Sequence, residues 1–403
     1  MRIRSSWMGA AACVVTLAAG LWLFAGEVIP ACGCGPVVGP GGGVSGDGGQ
    51  AGKPVPQDWR VLEGVSYENL TVFPVVTRAE ANTNGFATLD EALASGEAIV
   101  SESGGEIIRR SRDGRPVQYS GGPQVNRLVL INRGKRPLVL LAGEVVTGGK
   151  QDRVIAKDRI VPPGAVPLPL DVFCVEHGRW TGASMQFSAS KFIVHPSVRE
   201  RAAVEQKQDG VWAAVRSGTT STTVSGGGAG GGIAPRAAAP ELSRETLNTV
   251  IVESARSESY AKVYHGSRVG KSVDAFAEEI SRRFEKATSG LKGERVIGVV
   301  VAYGGEVAWS DAFASEPLFR VYWPKLLKSY VVEALARPRT QERATIEEAR
   351  EFLEPLRGRV NEESEPGVYR WRQTSQGRYA EIELESLAQR TMMLHWVKIQ
   401  KTS

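Results

Sequence analysis

Cysteine is scarce in this sequence, and its few copies are badly placed for cross-linking. Four cysteines occur in 403 residues: Cys13, Cys32, Cys34 and Cys174. Cys32 and Cys34 flank a single glycine, which is too close for an easy unstrained bridge, and Cys174 is alone in the body of the chain. We therefore expect neither a disulfide framework nor a zinc ribbon, so the folded part must rely on its hydrophobic core.

Excess charge is also small. The formal net charge is +5, from 49 Lys and Arg against 44 Asp and Glu. This is not the electrostatic field of a dedicated nucleic-acid binder, so we expect no nucleic-acid partner. Hydrophobic residues at 42% and charged residues at 23% are ordinary for a globular protein. That balance excludes a wholly disordered or fibrous chain.

No residue pattern in the sequence fixes a reaction. The motifs of serine hydrolases (G-x-S-x-G) and zinc proteases (H-E-x-x-H) are absent. Gly266–Ser272 ends in Gly-Lys-Ser, but three residues separate its glycines where a phosphate-binding loop needs four. The four histidines have no ligand spacing, so we expect them to be packed or at the surface. We expect no metal and no cofactor, and whether the protein is an enzyme stays open.

The N-terminus indicates export. Arg2 and Arg4 precede an uncharged apolar run, Met8–Gly26, which Glu27 closes. A basic start, an apolar run and a small-residue exit are typical of a secretory signal, although this run is long enough to span a bilayer. Residues 1–31 are therefore interpreted as a signal sequence or membrane anchor. We expect an exported protein that is periplasmic, envelope-anchored or secreted.

A lipid anchor is one of three interpretations of the small-residue segment that follows the apolar run. Ile29-Pro30-Ala31-Cys32 resembles a bacterial lipoprotein cleavage box, in which the cysteine is acylated. Pro30 and the early Glu27 depart from that pattern. A plain cleaved signal and an uncleaved anchor are the alternatives. In the lipidated or uncleaved form, the membrane is a partner through the N-terminal anchor.

Two glycine-rich tracts divide the rest of the chain. Residues 32–57 are a Gly/Pro-rich linker, and residues 217–240 are a second low-complexity tract that cannot bury enough apolar surface to stay ordered. A long surface loop costs little extra closure entropy. We therefore expect one unit over residues 58–403, interrupted by a flexible insertion at 217–240, and two domains are the alternative.

Hydrophobic patterning predicts an α+β fold. The first half is rich in antiparallel strands, whereas the second mixes helices with antiparallel strands and lacks regular βαβ alternation. Thr88 and Glu91 form a capping-box pattern for a short helix. Ser272–Lys286 carries apolar residues at helical spacing. Hairpins are expected around Asn132–Lys135 and around Gly304-Gly305.

The densest group of polar residues lies between Gly143 and Trp180. Charged side chains beside buried strands are typical positions for a site grafted onto a fold. The carboxylates Glu144, Asp171 and Glu176 are weak candidates for a general acid or base. Ligand contacts are expected from Lys150, Arg153, Arg179 and Trp180, because arginines grip phosphate or carboxylate and an indole stacks on a base or sugar. The alternative is a set of buried ion pairs that fixes loop geometry, with Trp180 in the core.

Several segments spread through the chain form a recognisable set: Glu68–Pro74, Leu89–Leu93, Val139–Glu144, Gly149–Arg153, Val172–Trp180, Val211-Trp212, Asp311–Phe313 and Lys325–Tyr330. Together they resemble a bacterial family named as the ARG- and rhodanese/phosphatase-associated protein domain, where ARG means ADP-ribosylglycohydrolase. The resemblance covers roughly residues 68–330 and makes the 217–240 tract an insertion within one unit. It implies a link to ADP-ribose or NAD-derived ligands, but no catalytic residues.

Three functions follow as hypotheses. The first is an exported, lipid-anchored or freely secreted binding module for an anionic small molecule, of ADP-ribose or nucleotide type. The second is a hydrolase that uses two of the carboxylates Glu144, Asp171 and Glu176 in one cleft. The third is a structural envelope module that makes protein contacts through an exposed apolar patch. The first two require the polar residues of the Gly143–Trp180 segment to converge.

Overall fold

The computed structural model describes residues 58–102, 126–175, 184–220, 268–337, 340–388 and 391–401. All of them belong to one compact unit, Gly41–Ser403. The predictions about residues 1–57, including Cys32, lie outside the described residues, and so do those about Glu176, Arg179 and Trp180. Within the described part of the chain, no helix has both the length and the apolar run needed to cross a bilayer.

Strands dominate the fold. In chain order they are β1 Arg60–Val61, β2 Val65–Tyr67, β3 Leu70–Thr77, β4 Ala87–Thr88, β5 Ala98–Glu102, β6 Arg127–Asn132, β7 Leu138–Leu140, β8 Glu144–Gly148, β9 Arg153–Ile155, β10 Arg159–Val161, β11 Gly164–Cys174, β12 Gln186–Ile193, β13 Arg295–Tyr303, β14 Glu306–Phe313, β15 Arg359–Glu365, β16 Tyr369–Gln376, β17 Tyr379–Ser386 and β18 Met392–Gln400.

The helices are fewer and mostly short. They are α1 Leu89–Ala94, α2 Pro196–Glu200 with a π-helical turn at Arg201–Glu205, α3 Gln208–Thr220, α4 Arg268–Thr288, α5 Glu316–Ala336 and α6 Ile346–Phe352. Local sequence explains where several begin. Thr88 caps α1 and Thr345 caps α6, each in a complete capping box, and Ser315 caps α5.

The strands form three sheets. The largest has nine strands, ordered β1-β3-β13-β14-β18-β17-β16-β15, with β2 also paired to β3. A six-stranded closed barrel follows the order β11-β6-β5-β12-β8-β9. A small sheet, β10-β7-β4, contains the parallel pair of β4 with β7. The predicted α+β class is confirmed, with antiparallel pairing through both halves.

The hydrophobic core joins the barrel to the nine-stranded sheet. One face of the sheet, including Val299 and Val301, packs with α4 and α5, and the same cluster takes in Val139 and Ile193 from the barrel side. The opposite face packs on α6 through residues such as Phe352. Apolar side chains of the barrel strands pack with those of α1 and the small sheet in one buried cluster, so the barrel has a packed core rather than a channel.

Several local predictions are confirmed and one is wrong. The Gly304-Gly305 hairpin joins β13 to β14, and the apolar face expected on Ser272–Lys286 is buried in α4. The Asn132–Lys135 hairpin is wrong: β6 pairs with β5 and β11 in the barrel, whereas β7 pairs with β4 and β10. Helix α3 extends to Thr220, so four residues of the tract expected to be unstructured are helical.

Candidate functional site

Glu144, the first of the predicted site residues, lies in a buried ion pair. Its side chain is 2% exposed, and its Oε1 lies 2.5 Å from Nζ of Lys325 on α5. Oε2 accepts a hydrogen bond from the backbone N–H of Leu141 at 2.7 Å, and Lys325 also reaches Asp90 at 2.9 Å. Burial raises the pKa of Glu144, although Lys325 opposes the shift. Glu144 therefore fixes α5 against β8.

Arg153 lies inside the end of the barrel. Its side chain is fully buried, and Nη2 lies 3.7 Å from Oε1 of the fully buried Glu102. Nη1 donates to the Gln151 carbonyl at 2.7 Å, and the backbone N–H of the half-buried Lys150 donates to the same Glu102 carboxylate at 3.0 Å. The charge of Arg153 is thus balanced within the protein.

Asp171 lies on the opposite side of the barrel wall. Its neighbours Leu170 and Val172 are buried in the barrel interior, so the alternation of the strand turns Asp171 outward. The carboxylate is exposed and lies 3.9 Å from Arg127. The structure therefore does not bring Glu144, Arg153 and Asp171 together: each has its own partners, and the first two have the buried pairing that the alternative interpretation describes.

A different set of charges meets at the junction of the barrel and the large sheet. His395, on β18, is fully buried, with Nδ1 at 2.5 Å from Asp158 and Nε2 at 3.0 Å from Asp311. Both ring nitrogens face carboxyl oxygens, and two ionised carboxylates can only accept, so this arrangement favours the imidazolium form, in which both nitrogens donate. Burial acts to lower the pKa of His395, but the two carboxylates outweigh it, and the pKa is raised.

Asp311 is the centre of this group. It accepts hydrogen bonds from Arg199 Nη1 at 2.9 Å, from Trp309 Nε1 at 2.7 Å and from the hydroxyl of Tyr330. Burial opposes its charge, yet Arg199 and His395 hold the pKa of Asp311 well below its usual range. Arg199 also donates to the Ala142 carbonyl at 2.8 Å.

This charge cluster, defined as Asp158, Arg199, Asp311 and His395, holds parts of the fold together and is not placed to carry out a reaction. Each member is at most 1% exposed, and none of them lines the cleft described next. A reacting group must reach its substrate, and these groups are sealed from solvent. The cluster joins strands β14 and β18 of the sheet to α2 and the segment before β10 on the barrel side.

An accessible cavity lined by described residues lies at one end of the large sheet. It has a volume of about 990 Å³ and lies where the β13–β14 turn, the β16–β17 turn and the end of β18 meet α6 and the segment after it. Its wall combines polar and aromatic side chains. The charged and aromatic residues of this wall include Glu306, Glu342, Glu348, Glu351, Glu354, Phe352, Arg378, Tyr379 and Lys398. A concave site of this size is suited to a small ligand.

Carboxylates dominate the charge of this cleft. Five glutamates line it, against two cationic residues, Arg378 and Lys398. Glu348 is engaged in the α6 cap, where Thr345 holds its pKa below the usual value, and Glu306 lies 3.7 Å from Arg337 and 4.0 Å from Arg378.

The other three glutamates are exposed. Among the described residues, the side chains of Glu342, Glu351 and Glu354 have no hydrogen-bond or ion-pair partner. The cleft therefore offers free negative charge to a ligand. Over the same part of the chain, no group of three or more His, Cys, Asp and Glu side chains is arranged to hold a metal ion.

Sequence reasoning missed both the charge cluster and the cleft. A signal for the cluster was present, because Asp311 and His395 interrupt apolar strands in the same way as the candidate Asp171 does. The cleft gave no such signal. Its free glutamates lie in polar segments that look like any solvated surface.

Comparison with known proteins places the chain in a family. No curated protein and no solved structure matches it. Residues 58–398 match the family described as ARPP-1, the ARG and Rhodanese-Phosphatase-superfamily-associated Protein domain. The match covers most of the chain and agrees with the resemblance seen in its segments. The chain belongs to the ARPP-1 family.

Proposed function

We propose that this protein is an exported binding module of the cell envelope that holds a small organic cation in the acid-lined cleft. The observation that carries the proposal is the 990 Å³ cavity with three glutamates that have no partner among the described residues, Glu342, Glu351 and Glu354. Free carboxylates lower the potential in a cleft and attract a cation. The apolar surfaces of Phe352 and Tyr379 supply contacts for the carbon atoms of such a ligand.

The sign of the ligand's charge differs from the sequence-based expectation. An anionic, nucleotide-like ligand was expected at Lys150, Arg153, Arg179 and Trp180. Arg153 is neutralised by Glu102 and has no exposed surface, so it does not support that ligand. Arg179 and Trp180 lie outside the described residues, and the anionic site stays a prediction. The cleft, in contrast, favours a cation because three of its exposed glutamates have no cationic partner among the described residues.

The two other hypotheses have less support. A hydrolase with paired carboxylates needs two of them in one cleft, but Glu144 is buried beside Lys325 and Asp171 faces outward. A protein-contact module needs an apolar patch. Among the described residues, Met185 and Val321 are the large hydrophobic side chains with high exposure. Neither observation favours these functions over ligand binding.

The export part of the proposal rests on the N-terminal sequence. A basic start and the Met8–Gly26 apolar run direct the chain to a membrane, and Cys32 is the acylated residue in the lipoprotein form. The Gly/Pro-rich composition of residues 32–57 is that of a linker, which agrees with a domain tethered to a membrane.

Isothermal titration calorimetry tests the binding function. The domain from residue 58 onward is titrated at low ionic strength with putrescine, spermidine and arginine amide, and in parallel with ADP-ribose and inorganic phosphate. We expect heat from the cations that weakens with added salt, because exposed charges are screened. If the anions bind and none of the cations gives a heat of binding, the proposal is overturned and the anionic site is favoured.

A further inference from the structure

Two buried lysines of this protein are in opposite electrostatic situations. Lys325, which is 5% exposed, lies 2.5 Å from Glu144 and 2.9 Å from Asp90. Lys398, which is 4% exposed, has no carboxylate within ion-pair distance among the described residues. Its ammonium donates instead to the backbone carbonyl of Glu354. One buried lysine is therefore fully compensated and the other is not.

Lys398 lies in the wall of the cleft. It is a lining residue near the end of β18, and its Nζ lies 5.4 Å from the ring centroid of Phe352 and 5.8 Å from that of Tyr379. Two aromatic ring faces thus flank the amine, and these cation–π contacts favour its charged form, against the effect of burial. Glu381 is its cross-strand neighbour on β17, in direct register.

The charged form of the Lys398 amine is less favourable here than it is in an exposed lysine. Burying a charged ammonium without a carboxylate partner is costly, so a lysine in this situation shifts towards its uncharged form. Burial lowers the pKa of Lys398, and the acids around it, Glu381 and Glu354, oppose the shift without cancelling it. Burial also raises the pKa of Glu381. In Lys325, by contrast, burial is outweighed by Glu144 and Asp90, and the pKa is raised.

We propose that Lys398 is a carbonyl-capturing residue, whose amine forms an imine with a small aldehyde or ketone that enters the cleft. A cavity, a buried amine in its wall and the absence, among the described residues, of a carboxylate within ion-pair distance of that amine carry this assignment. It goes beyond the proposed function and does not depend on it, because cation binding involves no carbonyl group.

The chemistry is that of a reactive lysine. The nitrogen lone pair forms a bond to the carbonyl carbon while the π electrons of the C=O bond move to oxygen, and one proton passes from nitrogen to that oxygen. The carbinolamine then loses its hydroxyl group together with the remaining proton on nitrogen as one molecule of water, and the nitrogen lone pair forms the C=N bond. No oxidant or reductant is needed, and hydrolysis reverses both steps.

Reductive trapping tests the assignment on the unmodified domain. The protein is incubated with glyceraldehyde and sodium cyanoborohydride from pH 6 to pH 10, and the rate of labelling of each lysine is read by peptide mass spectrometry. Lys325 is the buried, compensated control, and Lys286 on α4 is the exposed control. At pH 7 we expect Lys398 to react about tenfold faster than Lys286 for each unit by which its pKa lies lower, and Lys325 to stay unlabelled.

The pH at which labelling is half-maximal gives the decisive readout. A half-maximal pH for Lys398 that lies below that of Lys286 supports the assignment. Labelling no faster than Lys325, or with the pH profile of Lys286, would overturn it. Lys398→Met should abolish the labelled peptide while leaving the rates at Lys286 unchanged. Because the pH profile comes from the natural sequence, a variant that fails to fold leaves the test intact.

Discussion

His395 Nε2 lies 3.0 Å from Oδ1 of Asp311, and this contact joins two neighbouring strands of the large sheet, β18 and β14. The other ring nitrogen of His395 reaches Asp158, on the barrel side, at 2.5 Å. One imidazolium thus connects the sheet to the barrel. With Arg199 bound to Asp311, two cations and two carboxylates balance in a buried space.

Replacing the imidazolium should destabilise the fold strongly. In His395→Gln, the buried cluster keeps two carboxylates but loses one of its two cations. Breaking a buried ion pair by removing one partner costs about 3–5 kcal/mol. Urea unfolding followed by circular dichroism measures the change. Asp274→Asn, which removes an exposed ion pair with Lys328, is the control and should cost about 1 kcal/mol or less. If His395→Gln loses no more unfolding free energy than Asp274→Asn, the charge cluster does not stabilise the fold as described.

The same cluster should make stability depend on pH in a defined direction. The pKa of His395 is raised in the folded protein above its unfolded value of about 6.5. Its contribution is therefore fully present below about pH 6.5 and is lost as the pH rises through the folded pKa.

The measurement is the difference in unfolding free energy between the natural protein and His395→Gln. We expect this difference to shrink steadily above pH 6.5. His195 has a lowered pKa and the opposite pH dependence, but it is present in both proteins, so its effect cancels. A difference that stays constant from pH 6 to pH 10 would show that His395 is not held as the imidazolium.

Lys325→Met should destabilise the fold, because it leaves the Glu144 carboxylate buried without its cation. Without Lys325, the charges of Glu144 and Asp90 lose their shared partner, and we expect a loss of about 3–5 kcal/mol at neutral pH. Burial already raises the pKa of Glu144, so protonation should relieve most of this loss under acidic conditions. Lys328→Met, three residues later on α5, is the matched control because its side chain is exposed. Equal unfolding midpoints for the two variants would refute the buried pair.

The lipid anchor makes a prediction that concerns one cysteine only. If Cys32 is acylated, metabolic labelling with an alkyne-tagged fatty acid in a bacterial host should mark the full-length protein. Cys32→Ser should lose the label, whereas Cys34→Ser, two residues away, should keep it. Retention of the label in Cys32→Ser, or its absence from the natural protein, excludes this anchor and leaves a cleaved signal or an uncleaved segment.

Local structure was predictable from the sequence because local contacts determine it. The capping box of Thr88 with Glu91 and the buried face of α4 depend on residues within one or two helical turns. The Asn132–Lys135 hairpin failed for the opposite reason. Its flanking strands satisfy their hydrogen bonds with distant partners, since β6 pairs with β11 and β7 pairs with β10. Turn residues permit a hairpin, but non-local pairing decides which strands meet.

The site could be predicted only in part for the same physical reason. A charge beside a buried strand does mark a constrained position, and both Glu144 and Arg153 prove to be buried and paired. Which charge it meets depends on tertiary packing. The cleft brings together the turn at Gly304, the turn at Gly377 and the end of β18, which lie far apart in sequence. No local sequence pattern predicts that these three segments lie together in the fold.

The most direct test of the account is the affinity of the cleft for spermidine in two matched variants. The first carries Glu342→Gln, Glu351→Gln and Glu354→Gln, which remove the free carboxylates of the cleft. The control removes the same three charges elsewhere, through Glu63→Gln, Glu278→Gln and Glu285→Gln, all at exposed positions.

Exposed charge contacts contribute roughly 0.2–1 kcal/mol each, so we expect the cleft variant to bind spermidine about tenfold more weakly. The control variant should bind within about twofold of the natural protein. Equal weakening in both variants, or none in the cleft variant, would contradict the central claim that this cleft recognises a cation.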